Sequence, residues 1–449
     1  MKKALATVLT LAMAFSLLTG CDNKPANSGN TTQAADATAE EETKSAGDAE
    51  GIDKTNIVVW TWFSEQLGPS VGKAFEEAYP EYTVEAVNIP SAELEQKLLA
   101  AITANSGLPD ANAMQGDSIQ KFIAFGGLMD LSDKVKPIAD QFPAYKISND
   151  TDAEGKIYGL PIDSGPCALY YQIDLAEECG IDPAVDFATY EAWIAAGEKY
   201  KDKGYALHRM TEVGDGGLLQ MWTQQQGGTY FDENGNPTID TPEFINSAQL
   251  LKDLWDSETT GDWADWTPQY NDAITGNQVG TLLGAAWFMN VFIHSFDSAE
   301  NWAIVPLPTF PDSDSRTSNG GGSEMVIPEG AENPEGAWKF IEYYCADPVG
   351  RKIGMEALGE FPAYLPLYED EEVQNKTMKY FGDQKVFSFF AELLPEVPDW
   401  RTPGPYAQVH GDLIGPECPK LISGELSPSE FAEYCQTRAE EIVKNYSVN

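Results

Sequence analysis

Two periodicities alternate along the first third of this chain. Residues 56–63 form a β-branched and aromatic run that ends in Trp60, Thr61, Trp62 and Phe63, and residues 82–87 and 111–114 are shorter runs of the same character. All three predict strands. Between them the apolar positions recur at helical spacing. Val71, Phe75 and Ala78 follow Pro69, which suits a first helical position, and Leu94, Leu98, Leu99 and Ile102 form one stripe behind a capping Ser91, closed by Gly107. A further helix is predicted over residues 118–125, entered through Gln115, Gly116 and Asp117. The order strand, helix, strand, helix, strand predicts an α/β parallel sheet. Such sheets gather ligands at the carboxyl ends of their strands, here the loops carrying Trp62, Phe63 and Asp117.

In mid-chain the pattern changes. Ile157 to Leu160 reads as a short extended segment interrupted by Pro161, Asp163-Ser164-Gly165-Pro166 allows a change of direction, and Ala168 to Tyr171 resumes as a strand. A strand, a bend and a strand are what a crossing between two lobes looks like. Beyond it, helices are predicted from Thr189 (with Tyr190, Trp193, Ile194 and Tyr200), over residues 218–226 and over 242–255; strands are predicted over 205–208, 280–286 and 302–306. Trp287 stands at the exit of the second of these strands. Asn234-Gly235 predicts a hairpin turn over 229–239, and the neighbouring Asp232, Asn234 and Asn236 do not form a calcium loop, because the glycine is misplaced and the distal glutamate is missing. A glycine loop at 320–322 leads into another strand, Asn333-Pro334 starts a helix bearing Trp338, Ile341 and Tyr344, and residues 359–366 are proline-rich. Ser427 and Glu430 form a capping box around Pro428. The passage around Pro416 and Pro419 fits no element.

The amino terminus has a different composition. Lys2 and Lys3 precede an apolar stretch, residues 4–18, too short to span a membrane comfortably, and Leu18-Thr19-Gly20-Cys21 follows as a lipobox-like end. Residues 1–20 are expected to be a lipoprotein signal peptide, Cys21 to be lipidated, and residues 21–51, without one aromatic, to be a disordered tether. The protein is then extracytoplasmic and held to the cell membrane by lipid. The remainder is long enough for two cores. The formal net charge is −43, and removal of Lys2 and Lys3 with the leader leaves −45. A surface so acidic excludes nucleic acid as a partner and disfavours anionic solutes. The five other cysteines read as buried thiols. His208, His294 and His410 are isolated, and neither a metal pair, a nucleophile elbow nor a phosphate loop is present, so no cofactor or metal is expected.

Gly155, Tyr158, Gly159, Leu160 and Pro161, followed by Leu169, Tyr170, Tyr171, Asp174 and Leu175, resemble the extracellular solute-binding proteins of ABC importers, in the carbohydrate-binding group that includes maltose-binding protein. Phe125-Gly126-Gly127-Leu128, Gln225 to Gly228, Gly284 to Trp287 and Trp302 to Pro308 resemble the same family in the same order. Gln172 departs from it, where asparagine is common. The resemblance implies a two-lobe periplasmic-binding-protein-like α/β fold with a hinge and a ligand cleft between the lobes. Three crossings fall near residues 161–166, 308–320 and 360–365. Lobe 1 would comprise 52–162 and 311–362, and lobe 2 would comprise 163–310 and 363–449.

A sugar has flat C–H faces for aromatic rings and hydroxyl edges for carboxylates. The positions of Trp62 and Trp287 resemble the family's aromatic cleft residues, and the two are expected to face each other across the ligand, with Phe63 a further candidate beside Trp62; core packing is the competing reading. Asp117 either accepts hydroxyls or caps a helix. Asp163 and Tyr171 either line the cleft or serve turn and packing. Trp222, Tyr364 and Trp400 are further candidates, against the tendency of such aromatics to pack. The function implied is a monomeric, membrane-anchored receptor that captures a neutral mono- or oligosaccharide and delivers it to ABC permease subunits, not an enzyme. A glycoside hydrolase lipoprotein using paired carboxylates is the rival, and a surface adhesin the second.

Overall fold

The computed structural model describes residues 54–296 and 300–446. The signal peptide, Cys21 and the tether lie outside the described residues.

Among the described residues, eight strands form two sheets. The larger takes the order β2-β1-β3-β8-β4, from β1 (Thr55–Thr61), β2 (Tyr82–Asn88), β3 (Ala111–Gln115), β4 (Gly159–Pro161) and β8 (Ser323–Val326). The smaller takes the order β6-β5-β7, from β5 (Cys167–Gln172), β6 (Thr281–Ala285) and β7 (Trp302–Pro306). The predicted parallel arrangement holds for the three strands it was read from, but not for the whole sheet. β1 runs parallel to β2 and β3, but β8 is antiparallel to both its neighbours, and the smaller sheet is antiparallel throughout. β8 enters the larger sheet on the chain's return from the smaller one, so it must run against the strands that lead outward. Pro161 does not interrupt its strand either; it lies in β4, an edge strand, where a missing N–H is tolerated.

Period-two alternation explains how both sheets are covered. In β1, Ile57 and Val59 enter one core while Val58 and Trp60 face a smaller one that contains Leu94, Leu98 and Phe122. In β5, Ala168 and Tyr170 face the first core, whereas Cys167 and Leu169 face another, built from Trp193, Trp222, Leu251, Leu421 and Phe431. The first core is shared: residues from both sheets meet Phe340, Phe361, Phe387 and Phe390 in it.

Several local expectations were displaced. Ser91 is the first helical residue of Ser91–Ala104, with Pro90 in the cap position and no side-chain cap bond. Residues 205–208 are not a strand; Ala206 makes a single bridge to Val279. Pro419 lies inside the helix Gly415–Ile422. The capping box of Ser427 and Glu430 is formed, and the five described cysteines are free, four of them buried.

The chain passes between the sheets in extended segments that lie side by side. The Ser164 amide donates to the Phe361 carbonyl at 3.0 Å and that of Ala363 to Ile162 at 3.0 Å, while Cys167 donates to Ser318 at 2.9 Å and Gly320 to Gly165 at 2.8 Å. A Cβ on Gly165 would stand 2.8 Å from the Gly320 carbonyl oxygen, so glycine is required where these segments touch.

Candidate ligand-binding cleft

Two adjoining hollows, of about 290 and 450 Å³, open at this junction and share Gly116, Asp117, Trp287, Gly320 and Gly321. Both stand at strand ends. Trp62 follows the carboxyl end of β1, Asp117 that of β3, and Trp287 that of β6, as open α/β sheets position ligand loops.

The larger hollow brings together Trp62, Phe63, Asp117, Asp163 and Trp287, with Asn290 and Glu360. Trp62 meets Phe63 edge-on, ring centroids 5.3 Å apart. The Trp287 ring is fixed by its Nε1 hydrogen bond to the Gly320 carbonyl at 2.6 Å. Asp163 accepts from the Ser323 amide at 2.6 Å, and burial pushes its carboxyl up despite the nearby Lys146. Asp117 is exposed to the solvent of the cleft yet enclosed by its walls; desolvation, together with the Glu95 carboxylate, raises it above the ordinary range.

The deeper hollow has Tyr145, Lys146 and Asn149 on one side and Arg209, Asp215, Asp265, Trp266, Trp400 and Tyr406 on the other. Lys146 is buried and paired with Glu324, with Asp150 close by. Two buried carboxyls thus share one ammonium. Desolvation, then the charge of Glu324, drives Asp150 well above the carboxylate range, while Glu324 keeps the contact with Lys146. Arg209 is ion-paired to both Asp215 and Asp265. Burial is the largest influence on Asp215 and would raise it, but the Arg209 charge and the hydrogen bonds from Leu218 N and Arg209 together hold the carboxyl low; Asp265, whose desolvation dominates, is pushed up to about 6. Asp215 also caps the helix Gly216–Gln225 by accepting from Leu218 N at 3.0 Å. Every cation lining this hollow is therefore matched by an acid, and the groups left for a ligand are carboxylate and amide oxygens and aromatic faces.

Three candidates stand elsewhere. Trp222 is fully buried against Tyr190, at 5.6 Å, because its helix turns that face into the core. Tyr364 is 8 % exposed and packs on Phe142 at 5.9 Å. Tyr171 leans on Phe187 at 5.6 Å, packed against the core that also holds Leu169. Neither hollow is lined by any of these three. Trp400 does line the deeper hollow, stacked edge-on against Tyr230 at 4.8 Å. Sequence reasoning missed Arg209, Asp215, Asp265 and Trp266. The one available signal was a pair of tryptophans, Trp263 and Trp266, in an acidic loop with no apolar period around them.

Residues 70–379, more than half of the chain, match the family described as bacterial extracellular solute-binding protein. A lactose-binding protein of Rhizobium radiobacter is 27% identical over 355 residues, 76% of this chain and 82% of that protein. An arabinooligosaccharide-binding protein of Halalkalibacterium halodurans is 26% identical over 373 residues, 80% of this chain and 82% of that one. Among solved structures, the ABC transporter associated binding protein from B. animalis subsp. lactis Bl-04, in complex with β-1,6-galactobiose, superposes with a TM-score of 0.74 at 22% identity, covering 87% of this chain and 98% of the other.

Proposed function

Because the chain belongs to the bacterial extracellular solute-binding proteins, a family of two-lobed receptors and not of enzymes, we propose that its cleft captures a neutral sugar or short oligosaccharide and delivers it to the permease subunits of an ABC transporter. The observation that carries this reading is the lining of the cleft: indole rings from both sheets beside carboxylates, with each cation already paired. Rings suit the C–H faces of a sugar and carboxylates accept its hydroxyls, whereas an anionic solute would find no free positive partner. The lactose-, arabinooligosaccharide- and galactobiose-binding relatives point to the same ligand class. Ligand contacts from both walls would favour a closed arrangement of the lobes, which lobe 1 (52–162 and 311–362) and lobe 2 (163–310 and 363–449) would reach by bending at the crossings.

The test is a thermal-shift and calorimetric panel of lactose, maltotriose, β-1,6-galactobiose and arabinooligosaccharides against the purified protein. We expect one of them to bind one-to-one, to compact the protein in small-angle scattering and to be recovered intact by chromatography. Steady appearance of shorter sugars would return the glycoside hydrolase reading. The lipid anchor is tested separately. Cys21→Ala should move the protein from the membrane fraction to the medium or periplasm, since acyl chains supply retention; undiminished membrane retention would reject it.

A further inference from the structure

Trp266 is an exposed tryptophan, at 58 %, and its backbone is left-handed, φ 64°. A bulky residue in that region is strained, and strain persists only where the surroundings over-determine it. Here they do. On one side Asp265 is tied to the Arg209 guanidinium, which is itself tied to Asp215 at the cap of Gly216–Gln225. On the other, Thr267 caps the helix Pro268–Thr275, its hydroxyl accepting from Tyr270 N at 3.3 Å, and Pro268 fixes the first turn. Between two anchored neighbours the tryptophan has one way to lie. Its ring stands 6.0 Å from Trp287 at 35° and 6.0 Å from Phe288 at 57°, on the wall of the deeper hollow, with one side still open. Core packing does not account for an indole that is more than half exposed.

We propose that Trp266 is the specificity-determining platform of the deeper hollow, held out by the Asp215–Arg209–Asp265 row so that a single neutral sugar ring stacks on it with its hydroxyl edge toward those carboxylates. This rests on the sugar-binding reading above. Arg209 is a positioning residue in this account: it clamps the loop and neutralises the acids without having to touch the ligand. The sugar ring seated here is one end of the ligand, and any further units extend toward Trp62 and Asp163 in the larger hollow, which adjoins at Asp117 and Trp287.

Glycine and alanine at this position separate function from structure. Trp266→Gly relieves the left-handed strain and Trp266→Ala keeps it. With whichever panel sugar binds the wild type, both variants should bind about 10- to 100-fold more weakly by calorimetry, and Trp266→Phe should recover much of the loss. The ligand-free Trp266→Gly protein should nonetheless melt no lower than the wild type, and above Trp266→Ala. A Trp266→Gly protein that melts well below wild type and binds the sugar undiminished would overturn the proposal and make the ring a structural one. Failure of the wild type to bind any panel sugar would instead remove the sugar-binding reading on which it stands.

Discussion

Asp265 is a single residue whose titration should be felt twice, with opposite signs. Its carboxyl faces Arg209, Asp215 and Tyr270 and is pushed up to about 6 from 3.8, chiefly by burial. Ionised, it holds the guanidinium and can accept a sugar hydroxyl; protonated, it does neither as well. Lowering the pH from 7 to 5 should therefore weaken sugar binding by up to about 10-fold, the fraction of ionised carboxyl lost. For folding the sign reverses. The folded carboxyl holds its proton more tightly than the unfolded one, so this group favours the fold increasingly as the pH drops from about 6 toward 3.8. Asp265→Asn should abolish the binding inflection near pH 6 in calorimetric titrations at several pH values. A profile with the same inflection in that variant would assign the titration to another group. At this scale the sequence was least informative: nothing around Arg209 or Asp265 distinguishes a cleft residue from a solvated one, because their meaning comes from each other across 56 residues of chain.

Elements were legible where a local rule decides them. β1, β2 and β3 stand within about two residues of their predicted limits because β-branched and aromatic side chains need a pleated surface, and the capping box at Ser427 stands because its two bonds are local. The direction of β8 was not legible, since nothing in its four residues records that the chain is returning from the other sheet. Residues 205–208 misled for a related reason. Their apolar content suits a strand, yet the amides of Ala206 and Leu207 donate to Gln278 and Thr259, carbonyls in two different loops, so no ladder develops. Aromatic candidates divided by element. Those just past strand ends (Trp62 and Trp287) reached the hollows, while Trp222 inside a helix and Tyr171 within a central strand were claimed by cores.

On the scale of the whole molecule, the walls of the cleft already touch. Asn149, whose side-chain amide also donates to the Gly116 carbonyl beside β3, accepts a hydrogen bond from the Thr402 hydroxyl. Thr402 lies in the loop that Gln224 and Gln220 fasten to the other side, through Pro398 and Tyr406. We expect entry of a solute to break this bond, which would make capture wait on its opening. At low concentration the rate of uptake into the cleft should rise in proportion to the solute; at high concentration it should level off at the frequency with which the mouth parts, whatever the solute's affinity. Thr402→Val removes the donor with little change of shape and should lift that ceiling in stopped-flow fluorescence, and a ceiling at the same height in the variant would place the gate elsewhere. A receptor so latched would meter its traffic by its own breathing, and would hold its cargo by the same bond on the way out.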